Sequence, residues 1–155
     1  MSSDLYTQAE SLYRCGEYRR AKLLLKKEVP RSDCDPRLVS LYGLILARFD
    51  ASFYGFSRGL KWCGAALKRN PDDPILRLHL GLVYLFHGLR ARAVVHLDAA
   101  LAMAPDDPAV REARGLMGFR RRPVIPFLSR KNPLNILLGK TAVWLKKTFS
   151  REFSS

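Results

Sequence analysis

The tetrapeptide Pro71-Asp72-Asp73-Pro74 returns as Pro105-Asp106-Asp107-Pro108, a shift of 34 residues. A period of that length constrains a chain strongly. It marks one supersecondary unit that cannot bury its own apolar face and must stack on copies of itself. The residues between the two tetrapeptides predict a helical hairpin. Asp73 is placed as N-cap and Pro74 at the first helical position, where a missing N–H costs nothing. Ile75, Leu78, Leu82, Leu85 and Phe86 then recur at the helix period. Gly88 supplies a break, and a second helix runs through Ala93, Val94, Leu97, Ala100 and Leu101 before Pro105.

Less regular copies flank this unit. Asp35-Pro36 opens a helix in the same way, followed by Tyr42-Gly43 and Leu46, with Gly59, Cys63 and Ala66 in the second helix. That unit is four residues longer than its neighbour, and the surplus is expected between the helices, around Phe49–Gly55. Ahead of it, Ala9, Leu12, Ala21 and Leu25 trace a hairpin turning at Gly16-Glu17-Tyr18. Asp107-Pro108 starts one more helix through Gly115 and Leu116. The expected fold is all-α: antiparallel helix hairpins at 3–34, 36–71 and 74–105 with a capping helix at 107–121, stacked as an α-solenoid. Three units are about the fewest that bury a continuous core.

At Leu80-Gly81-x-x-Tyr84, Ala93, Leu97, Ala100 and Pro105 the chain resembles the tetratricopeptide repeat (TPR) family. Arg77 stands where the family's motif has Trp. Gly81 and Ala93 are expected to face one another and let their helices approach, with Tyr84 and Leu97 filling the space beside them. The resemblance implies a concave face lined by the first helix of each hairpin. It places Tyr6, Glu10, Tyr13, Arg14 and Arg37 there, and a partner-binding groove at Leu41, Leu44, Arg48, Leu78, His79, Leu82, Leu85, Phe86, Leu116 and Phe119. Some TPR proteins grip a C-terminal carboxylate with Lys, Arg and Asn on this face. Here the scattered Arg37, Arg48 and His79 occur without Asn, so that ligand is disfavoured. The groove turns apolar toward its C-terminal half, which suits an amphipathic helix or extended apolar segment. A competing reading is that several of these side chains only pack between hairpins.

Charge is uneven. The chain carries a formal +13, and residues 120–155 hold nine cations against Glu152 alone, leaving +5 for the first 119 residues. The cations include Arg120, Arg121, Arg122, Arg130, Lys131, Lys140, Lys146 and Lys147. Residues 122–133 read as a proline-punctuated extended segment, and 134–150 as a basic amphipathic helix. That helix could cover the chain's own repeat stack or groove, lie on an anionic membrane surface, or dock on a partner protein. Nucleic acid is disfavoured because no recognised binding motif or stacking platform accompanies the cations.

An apolar fraction of 48% with 26% charged residues is globular composition and excludes wholesale disorder. Neither a secretory signal nor an apolar run of membrane-spanning length is visible. Cys15, Cys34 and Cys63 form no CxxC pair, and a reducing cytoplasmic compartment, with peripheral membrane contact left open, fits them. His79, His87 and His96 lack the acidic or Cys companions that zinc requires and read as surface or groove residues. No phosphate loop, nucleophile elbow or paired-carboxylate site is present, so neither catalysis nor a cofactor or metal is expected. The expected function is a protein-interaction module, an adaptor or co-chaperone-like scaffold. The alternative is a membrane-peripheral assembly factor anchored by the C-terminal helix.

Overall fold

A computed structural model describes residues 2–29 and 33–117. The sequence expectations for Phe119, the basic residues from Arg120 onward, the extended segment at 122–133 and the helix at 134–150 lie outside the described residues. The capping helix is described as far as Met117.

The described residues form seven helices and no strand: α1 Ser2–Arg14, α2 Tyr18–Lys26, α3 Pro36–Phe49, α4 Phe53–Arg69, α5 Pro74–Phe86, α6 Arg90–Met103 and α7 Pro108–Leu116. The fold is all-α. None of these helices is long and apolar enough to cross a membrane. The Asp-Pro signals start three of them as expected. The carboxylate of Asp35 accepts from the Arg37 amide, that of Asp73 from Ile75, and that of Asp107 from Ala109 and Val110, with Pro at the first position each time. Gly16 (φ 80°) and Gly88 (φ 75°) turn the chain between α1 and α2 and between α5 and α6. Those left-handed angles are cheap only without a Cβ.

Connections of three or four residues make α1–α2 and each neighbouring pair from α3 to α7 antiparallel, so α3, α5 and α7 run the same way. Nine residues join α2 to α3, and α1 shares their direction because Tyr6 lies near Arg37 at the start of α3 and Tyr13 near Arg48 at its end. Each of these four packs on the next (α1 on α3, α3 on α5, α5 on α7), while α2, α4 and α6 pack on the members of that row. One hydrophobic cluster joins α1 through α5 and centres on fully buried Leu25, Leu41, Ile45 and Leu76. A second joins α5, α6 and α7 around Leu97, Ala100 and Val110. His79 ties the row together across its polar atoms. Its Nδ1 is hydrogen-bonded to Ser40 Oγ of α3, and its Nε2 lies 3.5 Å from Tyr6 Oη of α1. At the helix starts, Arg37 of α3 donates to the Asp73 cap of α5 at 2.6 Å.

Two packing details differ from the sequence expectation. The four surplus residues of the second unit are not loop. The connections match those of the α5–α6 unit, and the excess is helix, most of it in the 17-residue α4. Ser52 explains the early start, because its hydroxyl accepts from Gly55 N while its own amide donates to Asp50 Oδ1. A Cβ at Gly55 would lie 1.9 Å from the Asp50 carbonyl oxygen, so only Gly allows so tight a turn. The second detail is at Gly81, where the nearest atoms belong to Leu97, with Cγ and Cδ2 at 2.8 Å from an added Cβ, rather than to Ala93. In the α3–α4 hairpin the close approach is reciprocal. A Cβ on Gly43 would meet Gly59 O at 2.9 Å, and one on Gly59 would meet Gly43 O at 2.8 Å.

Candidate functional site

The row of parallel helices encloses a cavity of about 350 Å³. Its wall takes Glu10, Tyr13 and Arg14 from α1, Tyr18 from α2, and Leu41, Leu44 and Arg48 from α3. Leu78, His79, Leu82 and Phe86 come from α5, and Ala109, Glu112, Ala113 and Leu116 from α7. The helical period selects these residues. In α7 the positions 109, 112, 113 and 116 fall on one face, and in α5 the positions 78, 79, 82 and 86 do so.

Eight of the ten groove positions expected from the sequence therefore meet at one cavity. Leu85 does not; it packs into the α5–α7 cluster instead. Phe119 is outside the described residues. Of the inward residues expected on the first two units, Tyr13, Glu10 and Arg14 line the cavity, while Tyr6 and Arg37 are engaged with His79 and Asp73. Tyr18, Ala109, Glu112 and Ala113 were not expected. The signal for the last three was present as the i, i+3, i+4 spacing back from Leu116.

Burial sorts the cavity into floor and mouth. Leu41, Leu44, Leu78 and His79 are at most 4% exposed, so they form the floor and serve the core. Leu82 and Phe86 are half-buried, and Leu116 is 58% exposed. At the mouth, Tyr13 and Tyr18 pack ring against ring at 5.5 Å. The Arg48 guanidinium lies 4.4 Å from the Phe86 ring centroid and 5.9 Å from that of Tyr18, and its Nε donates to Tyr18 Oη at 3.4 Å. A cation–π clamp of this kind holds two aromatic walls in place. Arg48 thus supports the mouth of the cavity. Glu10 and Arg14 pair at 2.9 Å on the α1 rim.

His79 lines the cavity as expected, but it lies at the buried floor rather than on the surface and is neutral. Desolvation holds its pKa down to about 4, and the nearby Arg37 pushes in the same direction while Asp73 opposes it. Both of its ring nitrogens have partners in the described network, so it is part of the scaffold. His87 donates to the Ala47 carbonyl at 3.1 Å and packs on Phe56 at 4.7 Å; His96 stacks on Tyr84 at 5.5 Å. Tyr13 has its phenol pushed up in pKa by burial first and by Tyr18 next, and it lines the cavity as a neutral hydroxyl.

Cys34 and Cys63 are buried and Cys15 is exposed, all three as free thiols. Cys63 donates to the Ser40 carbonyl at 3.2 Å, and burial pushes its pKa up, which makes it inert. No group of three or more His, Cys, Asp or Glu suited to a metal ion exists among the described residues. The cavity's chemistry is apolar contact with a polar, charge-balanced rim. No protein-family model matches the chain, and no curated protein matches it.

Proposed function

We propose that this chain is a small, non-catalytic protein-binding module in which TPR-like helix hairpins stack as a short solenoid and hold a segment of a partner protein. One observation carries the reading. Side chains from five helices, separated by up to 106 residues between Glu10 and Leu116, converge on a single open cavity with a buried, largely apolar floor and an aromatic mouth. Nothing in hairpin packing alone requires Leu116 to stay more than half exposed. At about 350 Å³ the cavity sits at the low end of the roughly 300–1,000 Å³ range of ligand sites. It suits one or two large apolar side chains of a docked helix or strand rather than a whole helix. The mechanism is equilibrium binding by shape and apolar burial, with Leu82, Phe86 and Leu116 as anchors.

The test replaces Leu82 and Phe86 by Ala together and measures retention of co-purifying proteins by the full chain. A truncated anchor at the centre of an interface costs about 2 kcal/mol or more, so the loss of even one such contact lowers affinity about thirty-fold and the double change lowers it further. The exposed Val95 of α6 provides the control, since Val95→Ala leaves retention unchanged. A folded Leu82→Ala, Phe86→Ala variant that keeps every partner discards the proposal.

A further inference from the structure

The longest departure from the 34-residue period builds a second feature, remote from the cavity's chemistry. The extra helix at the start of α4 carries Phe53, 83% exposed, and Tyr54, 66% exposed, and Phe49 at the end of α3 is 47% exposed. Three aromatic side chains thus stand in water at one turn. Lys22 Nζ lies 4.5 Å from the Phe49 ring centroid, and the Arg58 guanidinium lies 5.4 Å from that of Tyr54. The carboxylate within this tip is Asp50, which is held by the Ser52 amide at 3.0 Å and is within Coulomb reach of both Arg58 and Lys22.

Charge is also uneven along the helix axes. Asp35, Asp72, Asp73, Asp106 and Asp107 outnumber Lys68 and Arg69 of the α4 C-terminus and Lys26 of the α2 C-terminus at the end where α3, α5 and α7 begin. The opposite end holds the three hairpin turns, with Arg19 and Arg20 opening α2 and Arg90 and Arg92 opening α6, all four exposed. Glu17 at that end is paired with Arg20 at 3.5 Å. The aromatic tip therefore sits on the cationic end of the bundle.

We infer that the α3–α4 tip is a docking surface for an anionic phospholipid bilayer: Phe53 and Tyr54 enter the interface while Lys22 and Arg58 meet headgroup phosphates. Aromatic side chains favour the headgroup level, and each nearby cation adds to the attraction of an anionic leaflet. The geometry favours a bilayer over the two other anionic partners. A stable protein partner needs about 800 Å² on each side, more than a tip of this kind offers. Single-stranded nucleic acid stacks its bases on open ring faces within a groove. Here a small cavity does lie at the tip, lined by Lys22, Phe49, Asp50 and Arg58, but one face of Phe49 and one of Tyr54 already lie under a cation and are not open for stacking. The surface is independent of the cavity, so either reading can fail alone.

The experiment is co-sedimentation of the full chain with vesicles of equal parts phosphatidylcholine and phosphatidylglycerol, and with phosphatidylcholine alone, at low salt. The wild type binds the anionic vesicles and not the neutral ones. Phe53→Ser with Tyr54→Ser lowers the partition coefficient at least about ten-fold, given the apolar area withdrawn. Lys22→Gln with Arg58→Gln lowers it by roughly five-fold per cation. Phe53 and Tyr54 are exposed and Lys22 and Arg58 are half-buried, and an unchanged circular dichroism spectrum verifies the fold. The inference is overturned if the wild type stays in the supernatant. It is equally overturned if the Phe53→Ser, Tyr54→Ser variant partitions like wild type, because another surface then carries the binding. A third contrary outcome is that oligo(U) RNA binding, and not vesicle binding, is lost in that variant.

Discussion

Gly43→Ala and Gly64→Ala are the same chemical change in one helix hairpin, and the packing assigns them opposite signs. Added to Gly43, a methyl group meets Cys63 Sγ at 2.8 Å, Gly59 O at 2.9 Å and Trp62 Cβ at 2.9 Å. The Cys63 side chain can shift, but a carbonyl oxygen and a Cβ are fixed to α4. Ordinary carbon contacts lie near 3.5–4.0 Å, so α3 and α4 must separate by roughly 0.6–1 Å. Overpacking of this kind costs about 1–3 kcal/mol. Against it stands the better helix propensity of Ala, worth about 0.5–1 kcal/mol. Gly43→Ala therefore loses about 1 kcal/mol net. A methyl group on Gly64, within α4, has nothing within 4 Å. That change keeps only the propensity gain of about 0.5–1 kcal/mol. Equilibrium urea unfolding read by circular dichroism, with a common m-value, measures both as midpoint shifts. Gly59→Ala behaves like Gly43→Ala, since it meets Ala47 Cβ at 2.7 Å and Gly43 O at 2.8 Å. The double variant costs less than the sum, because helices already pushed apart accept the second methyl more easily. Gly43→Ala raising the midpoint as Gly64→Ala does would refute the reciprocal glycine contact.

Two further outcomes follow from the buried polar groups. His79 is neutral in the folded chain, with its pKa lowered from 6.5 to about 4, whereas the unfolded chain binds a proton near pH 6.5. Its contribution is complete above that pH and declines as the pH falls toward 4, by about 2 kcal/mol at pH 5. Urea midpoints at pH 7 and pH 5 should drop less for His79→Gln than for wild type; parallel drops would contradict the assignment. Asp73→Ala removes both the α5 cap and the bond from Arg37, and Asp73 is only 6% exposed. It should cost more than Asp35→Ala, whose carboxylate serves the Arg37 amide of its own helix and whose loss costs about 1 kcal/mol. Equal losses in urea unfolding would show that the Arg37 bond contributes nothing.

Local rules made the helix starts legible. Asp-Pro at 35–36, 73–74 and 107–108 fixes cap and first-turn geometry within three residues, and Gly16 and Gly88 mark turns by backbone sterics alone. The cavity face was legible for a similar reason, since the helical period puts Leu78, Leu82 and Phe86 on one side without reference to anything else. Depth was not legible. Periodicity gives a direction but not a distance, so Leu41, Leu44 and Leu78, which form the floor, looked equivalent to Leu82 and Phe86 at the mouth. The burial of His79 was not legible because its partners, Ser40 and Tyr6, lie 39 and 73 residues away. Arg48 reads as a free cation until its clamp on Phe86 and Tyr18 is seen. The surplus residues at 49–55 carry a glycine and an aspartate and so resemble a loop. Ser52 capping Gly55 instead starts α4 there and leaves Phe53 and Tyr54 standing in solvent.

The central claim is that the cavity between α1, α3, α5 and α7 is the working surface. Photo-crosslinking tests it most directly, with benzoylphenylalanine placed singly in the full chain at position 82, 116 or 95. Leu116 at the mouth and Val95 on α6, no residue of which lines the cavity, are similarly exposed, at 58% and 65%, so exposure alone cannot separate them. Adducts to co-purifying protein at 82 and 116 and none at 95 are the expected result. Adducts at 95 with none at 82 and 116 would place the contact elsewhere and contradict the account.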